Sequence, residues 1–212
     1  EFKGERYQLP HPNGVGLGKP LKSITHPLRA DLPIYLAAEG PKNVALAAEI
    51  ADGWLALWFS PKSDVFYRDA LATGFARPGA RHDAAAFESA GTVWLVEHDD
   101  VEVAASFLKP VLALYIGGMG ARDANFHHDV FVRMGWGEAC EAIQAAYLSG
   151  DRDGAAALVP TEMVEDVALV GPADKIVEEI ERSWRSTCLT TMVLGGWPRA
   201  ETRERILDAV RG

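Results

Sequence analysis

Cysteine is scarce, with only Cys140 and Cys188 in 212 residues. Two thiols cannot make a disulfide framework, so a reducing, cytoplasmic setting is expected. Basic charge is also short: Lys plus Arg is 21 against 30 for Asp plus Glu, a formal net charge of −9. That argues against a nucleic-acid footprint and against a polybasic membrane-surface patch. No apolar run reads as a membrane span, and no signal pattern opens the chain. Low-complexity tracts and short repeats are missing. No Ser-His-Asp set has an assignable order, and no Walker loop or full dinucleotide fingerprint occurs. The first residue is Glu1 rather than Met, which reads as a processed, truncated or unresolved end.

What remains is an ordinary globular balance, 48% hydrophobic and 24% charged, at a length that supports a core without staples. Residues 1–32 carry turn punctuation, Pro10-His11-Pro12-Asn13-Gly14 and Gly16-Leu17-Gly18-Lys19-Pro20. They read as an extended lead-in with one short strand, whose Phe2, Tyr7, Leu9 and Leu28 need packing partners.

From residue 33 the pattern alternates. The run 33–38 reads as a strand buried on both faces, and 53–59 as a second. A helix is expected over 43–51, with Pro41 in its first turn, and another from Ser60 to about 71. Residues 74–83 read as a basic loop and 92–96 as a third strand. A helix then runs from Asp99-Asp100 to about 115, kinked or split by Pro110. After a break at 117–120, helices are expected over 129–148, interrupted near Gly135 and Gly137, and over 151–158. Residues 167–170 are a short extended piece, 171–186 a helix, 190–194 the fourth strand and 199–210 the last helix. The reading is an α/β architecture of four βα units with a parallel sheet, and a helical insertion at about 99–160 between the last two strands. Four such strands leave open edges or an unopposed inner face, so more chain or a partner is expected to cover them.

In such sheets ligands sit at the carboxyl ends of strands. Four loops qualify: 37–43, 59–62, 97–100 and 195–198. In the first, small residues and Gly40 allow close approach, and free N–H groups at the helix start suit an anion such as phosphate. A plain tight turn explains the same residues. Glu39 favours the helix dipole by about 0.3–1 kcal/mol but repels a phosphate, which Lys42 can offset. Asp52 and Gly53 read as a structural turn at the opposite end. His127 and His128 are adjacent and do not share a helix face. They read as a polar surface or pocket wall, not a metal site. Cys140 and Cys188 read as core. Trp58 and Trp197 fall near strand ends, where they can line an apolar pocket.

The series Phe2-Lys3-Gly4-Glu5-Arg6-Tyr7, His26-Pro27-Leu28-Arg29, Pro33-Ile34-Tyr35-Leu36-Ala37-Ala38-Glu39-Gly40-Pro41-Lys42-Asn43 and Ala48-Glu49-Ile50-Ala51-Asp52-Gly53-Trp54 resembles the luciferase-like monooxygenase superfamily, most closely its coenzyme F420-dependent oxidoreductases. Tyr115-Ile116-Gly117-Gly118-Met119-Gly120, Asn125-Phe126-His127 and Val170-Gly171-Pro172 continue the likeness over essentially the whole chain. The resemblance implies a (β/α)8 TIM barrel with an insertion, usually dimeric, of which this chain is the C-terminal half, strands five to eight. The N-terminal half-barrel, which carries much of the deazaflavin pocket, is absent from it. The resemblance further implies that Ala37, Ala38, Glu39, Gly40 and Pro41 approach coenzyme F420. Leu57, Trp58 and Phe59 stand at the next strand end, on the coenzyme or substrate side. Some relatives have Gly in place of Glu39. Sugar-phosphate members carry a lysine near Ser60, whereas here Lys62 lies two residues on, which counts against a phosphorylated sugar. The implied reaction is hydride transfer between F420 and a small organic molecule, with this chain alone inactive. Two alternatives stand: an FMN-dependent monooxygenase, and a non-catalytic half-barrel that serves as an assembly module. The partners expected are a small-molecule substrate and the N-terminal half or a second copy.

Overall fold

The computed structural model describes residues 1–16, 18, 19, 22, 24–122, 124–196 and 198–211. The chain divides into two units, Glu1–Leu32 and Pro33–Gly212. In the first, β1 (Phe2–Lys3) pairs antiparallel with β2 (Gln8–Leu9), a hairpin where one strand is expected. The Phe2 and Tyr7 rings meet at 5.4 Å. The burial expected of Leu9 and Leu28 is not found; both are exposed, because two short strands cannot enclose a core.

The second unit runs β3 (Tyr35–Ala37), α1 (Pro41–Ile50), β4 (Gly53–Ala56), a 3-10 turn (Pro61–Ser63), α2 (Asp64–Phe75) and β5 (Glu88–Glu97). Then come α3 (Val101–Ser106), α4 (Lys109–Gly118), α5 (Phe126–Arg133), α6 (Gly137–Leu148), α7 (Arg152–Ala157) and α8 (Thr161–Val167). The chain closes with β6 (Ala168–Gly171), α9 (Ala173–Glu179), a π-helical turn (Ile180–Trp184), β7 (Thr191–Gly196) and α10 (Ala200–Arg211).

Every strand pair in this unit is parallel, as alternating βα units require. The long β5 organises the sheet. Ala90 and Gly91 pair with both β4 and β7, and Trp94 and Leu95 pair with both β6 and β7. A strand has two edges, so β4 and β6 share one edge of β5, end to end, and β7 takes the other. Partners in register face the same way. One face therefore presents Leu36, Trp54, Ala56, Val93, Leu95, Leu169, Met192 and Leu194, and these form a core that includes Val44, Tyr67, Ile176 and Ile206 from α1, α2, α9 and α10. The opposite face splits. Its upper part, Trp94, Val96, Ala168 and Val170, packs on the insertion helices. Lower down, Ala37, Leu55 and Val193 lie exposed.

Several expectations are corrected. The run 33–38 is not buried on both faces: β3 is an edge strand, and Ile34 is 56% exposed. The second strand stops at Ala56, not Phe59, because Trp58 takes a left-handed backbone with φ 56. That turn frees the upper edge of β5 for β6, so among the described residues the sheet has five strands rather than four, the extra one being the extended piece expected at 167–170. Gly74 lies inside α2 rather than in a loop. The helix expected from 129 starts at Phe126, because Asn125 caps it. The split near Pro110 is found: α3 ends at Ser106 and Pro110 sits in the first turn of α4. One stretch, Val101–Gly118, is apolar and long enough to cross a membrane by length and composition, contrary to expectation. It is broken between α3 and α4, and Ala104, Ala105, Leu112 and Ile116 are buried in the insertion core.

Helix α1 packs tightly on α2 because Gly74 has no side chain. A Cβ there would lie 2.1 Å from the Ala45 carbonyl oxygen. Gly74→Ala is expected to force the helices apart at a cost of about 2 kcal/mol. Urea denaturation checks this; an unchanged midpoint would show that the helices slide freely.

Candidate functional site

The carboxyl end of β3 leads through Ala38, Glu39 and Gly40 into α1. Gly40 is the N-cap residue, with φ −83 and ψ 149, and Pro41 fills the first turn. The Trp54 indole donates to the Ala38 carbonyl at 2.8 Å, so a fully buried core ring holds this loop. A Cβ on Gly40 would meet nothing within 4 Å. The space beside the helix start is open, and the α1 N-terminus supplies N–H groups and a positive dipole end there.

Glu39 does not face that space. It is 6% exposed. His127 Nδ1 lies 2.9 Å from each carboxyl oxygen, and Arg133 Nη2 donates to the Glu39 backbone oxygen at 3.1 Å. Burial pushes the Glu39 carboxyl up to about 8, against the pull of the Arg133 guanidinium. Burial also pushes His127 below the usual imidazole value. The acid expected to repel a phosphate is thus turned inward, where burial favours its protonated form.

His127 is placed by its neighbour. Asn125 Oδ1 accepts from the His127 and His128 N–H groups, while its Nδ2 donates to Tyr115 O at 2.9 Å and Ile116 O at 2.8 Å. All four hydrogen-bonding positions of this buried amide are filled. Rings then join the two strand ends. Trp58 meets Tyr115 at 5.1 Å, and Tyr115 meets His127 at 4.8 Å, both edge to face. The path Trp58–Tyr115–His127–Glu39 therefore ties the end of β4 to the loop after β3 through the insertion.

The other two candidate loops are joined as well. Glu97 at the end of β5 pairs with Arg199 Nε at 3.1 Å and accepts from its N–H at 2.9 Å. Lys62, two residues past Ser60, pairs with Asp166 of α8 at 2.6 Å. Trp197 lies outside the described residues. At the opposite end, Asp52 accepts from the Ile34 N–H at 2.8 Å and pairs with Arg81 and His82, which makes it the structural turn expected. Cys140 is buried and Cys188 half-buried, and burial raises both thiols to about 12. Among the described residues no cluster fit to hold a metal occurs.

A family model described as luciferase-like monooxygenase matches residues 1–191. The chain belongs to the luciferase-like monooxygenase family. It is 46% identical over 203 residues, 95% of its length, to a Mycobacterium tuberculosis protein named as a coenzyme F420-dependent oxidoreductase, 58% of which it covers. It is 27% identical over 216 residues to the 5,10-methylenetetrahydromethanopterin reductase of Archaeoglobus fulgidus, covering 99% of this chain and 58% of that one. Two solved structures share the fold. The coenzyme F420-dependent tetrahydromethanopterin reductase of Methanopyrus kandleri superposes with TM-score 0.59 at 24% identity, over 84% of this chain and 49% of that one. An F420-dependent secondary alcohol dehydrogenase superposes with TM-score 0.61 at 17% identity, over 86% and 50%. This luciferase-like chain spans about half to three-fifths of the length of these relatives.

Within this luciferase-like fold the expected coenzyme residues separate into two groups. Ala37 and Pro41 are exposed, and Ala38 and Gly40 half-buried, around the open helix start. Trp58 and Phe59 are 1% and 0% exposed. The turn at Trp58 sends them into opposite cores, Phe59 onto Trp54, Tyr67 and Trp184, and Trp58 onto Tyr115 and Phe131. Leu57 is half-buried against the insertion core. Sequence reasoning missed the tie from His127 and Arg133 to Glu39. His127 reads there as a surface or pocket-wall residue, yet it is buried. A signal was present: an acid in a βα loop and a His after an Asn N-cap are both short of partners until they meet.

The Glu39 pair makes stability depend on pH. The folded carboxyl keeps its proton up to about 8, while the unfolded one releases it near 4.5. Stability therefore falls as pH rises through that window. His127, lowered from 6.5, acts oppositely below 6.5, where the unfolded chain binds the extra proton. The two slopes cancel in part on the acid side, so the net loss is expected between 6.5 and 8. Against Glu39→Gln, the native chain is expected to lose about 2 kcal/mol over that interval. Parallel denaturation curves of the two proteins would refute this.

Proposed function

We propose that this chain forms the C-terminal strands of a (β/α)8 barrel in a coenzyme F420-dependent oxidoreductase, which exchanges hydride with a small organic substrate. The observation that carries the reading is the open helix start after β3, where Gly40 leaves room for a close approach and the adjacent acid is buried. The 46% identical F420-dependent relative supports the choice of coenzyme. The loop fits an anionic group. Gly40 and the α1 N-terminus would hold it, the Lys42 side chain adds positive charge one residue past Pro41, and Trp54 keeps the Ala38 carbonyl turned into the protein. When bound, the deazaflavin supplies the hydride chemistry; this chain orients it and keeps negative charge away from it. No residue of the chain is assigned as acid or base.

The exposed Ala37, Leu55 and Val193 face supports a half-barrel that completes itself against an N-terminal half or a second copy. The chain alone is therefore expected to bind a hydrophobic dye or self-associate, and to show no turnover of reduced F420. A monodisperse, dye-silent monomer would contradict the half-barrel. The two free thiols fit the cytoplasm.

Fluorescence titration with F420 and FMN tests the coenzyme. Binding of F420 is expected; tight FMN binding without F420 binding overturns the reading in favour of an FMN enzyme. Gly40→Asp sharpens the test. Its Cβ has room, so stability should hold, while the added charge should weaken F420 binding about tenfold or more, roughly 1.4 kcal/mol. Equal affinity for both proteins would remove the loop from the coenzyme site.

A further inference from the structure

The helical insertion reaches the β3–α1 loop at Glu39. Glu39 is gripped on its side chain by His127 and on its backbone by Arg133, six residues later on α5. The grip is itself fixed. Asn125 sets the first turn of α5, the Tyr115 ring stands edge-on to His127, and the Arg133 guanidinium lies over the Phe66 ring at 4.9 Å. Glu39 directly precedes Gly40, the residue that begins α1 and leaves the open space. A shift of α5 is therefore passed to the helix start through Glu39.

We propose that Glu39, His127 and Arg133 form a clasp through which the helical insertion sets the β3–α1 loop in its anion-accepting shape. They are positioning residues that act through the loop: His127 holds the Glu39 side chain and Arg133 the Glu39 backbone oxygen. The step to an anionic coenzyme rests on the function proposed above, whereas the clasp itself does not. Its charge logic is local. The Tyr67 hydroxyl of α2 also feels the Glu39 carboxyl, and burial raises it to about 12. With burial favouring the protonated carboxyl, Arg133 and Lys42 bring positive charge to the loop, and that sign suits an anion.

Amide hydrogen exchange on the free 212-residue chain tests the clasp without any ligand. His127→Ala and Arg133→Lys are expected to raise exchange over residues 38–44 about tenfold or more, with β5 and α9 unchanged. Glu39→Gln keeps a polar group beside Nδ1 and should protect the loop as the native residue does. In parallel, F420 titration should show about tenfold weaker binding for His127→Ala and Arg133→Lys and near-native binding for Glu39→Gln. Unchanged exchange over 38–44 in both variants overturns the clasp. So does a uniform rise across the whole fold, which would make the pair a plain stabilising contact. If the native chain binds no F420, the coenzyme reading fails, while the exchange result still decides the clasp.

Discussion

Replacing Trp54 with alanine is expected to cost about 4 to 5 kcal/mol, the upper end for a buried aromatic truncation. Trp54 is fully buried at the centre of the outer core, with Tyr67 at 4.9 Å and Phe59 at 6.4 Å. Alanine would leave a large apolar cavity between β4, α1 and α2. It would also strand the Ala38 carbonyl, which the indole N–H satisfies at 2.8 Å, and an unmade buried hydrogen bond adds to the penalty. Domains of this kind have total stabilities on the order of 5–15 kcal/mol, so the variant should be partly unfolded at room temperature. Trp54→Phe separates the two contributions. It keeps most of the ring contacts and loses only the hydrogen bond, so a cost of about 1 to 2 kcal/mol is expected. The loop after β3 should loosen in that variant while the core stays intact. Urea denaturation gives the stabilities, and exchange at the Ala38–Lys42 amides gives the loop. If Trp54→Ala costs no more than Trp54→Phe, the packing argument is wrong.

Asn125→Asp is the second large effect, about 3 kcal/mol, although the two side chains have nearly the same shape. The amide uses both faces: two N–H bonds to Tyr115 O and Ile116 O, and two accepted from the first turn of α5. A carboxylate keeps the cap but points a charged oxygen at two carbonyl oxygens in a site 4% exposed. Burying an unpaired charge against like partial charges is costly. Lowering the pH should recover part of the loss, because a protonated carboxyl can donate one of the two missing bonds. Asn125→Ala removes the repulsion but leaves the cap and both carbonyls empty, and should cost about 2 kcal/mol without the recovery in acid. Thermal melts of the three proteins at pH 5 and pH 7.5 decide the matter; equal losses for Asp at both pH values would sink it. Because Asn125 sets the turn that carries His127, the same variants should also release Glu39.

The strands after residue 33 show why some of this was legible from residue order. Trp54-Leu55-Ala56 and Val93-Trp94-Leu95 are short apolar runs bounded by turn residues, and a chain in that state has few choices but a covered parallel strand. The extended piece read at 167–170 is the strand Ala168–Gly171, but its place in the sheet was hidden for a physical reason. Its four residues, Ala-Leu-Val-Gly, gain a partner only because β4 ends early and vacates the upper edge of β5. That vacancy comes from the left-handed turn at Trp58, a conformation that a bulky residue adopts only when packing on both sides enforces it. Here Tyr115 and Phe131, more than fifty residues away, supply that packing on one side.

Residue order alone determined the alternation of strand and helix, the early location of an anion-suited helix start at Gly40-Pro41, and the family likeness. These follow from local periodicity and turn chemistry, which need no distant partner. Only the tertiary structure decided which way Glu39 points. In sequence it is an acid beside a helix start suited to an anion; in the fold it is buried against His127, eighty-eight positions on. The distinction is one of range: backbone geometry is set by neighbours along the chain, whereas the protonation and direction of a buried carboxyl are set by whatever the fold brings within about 3 Å of it.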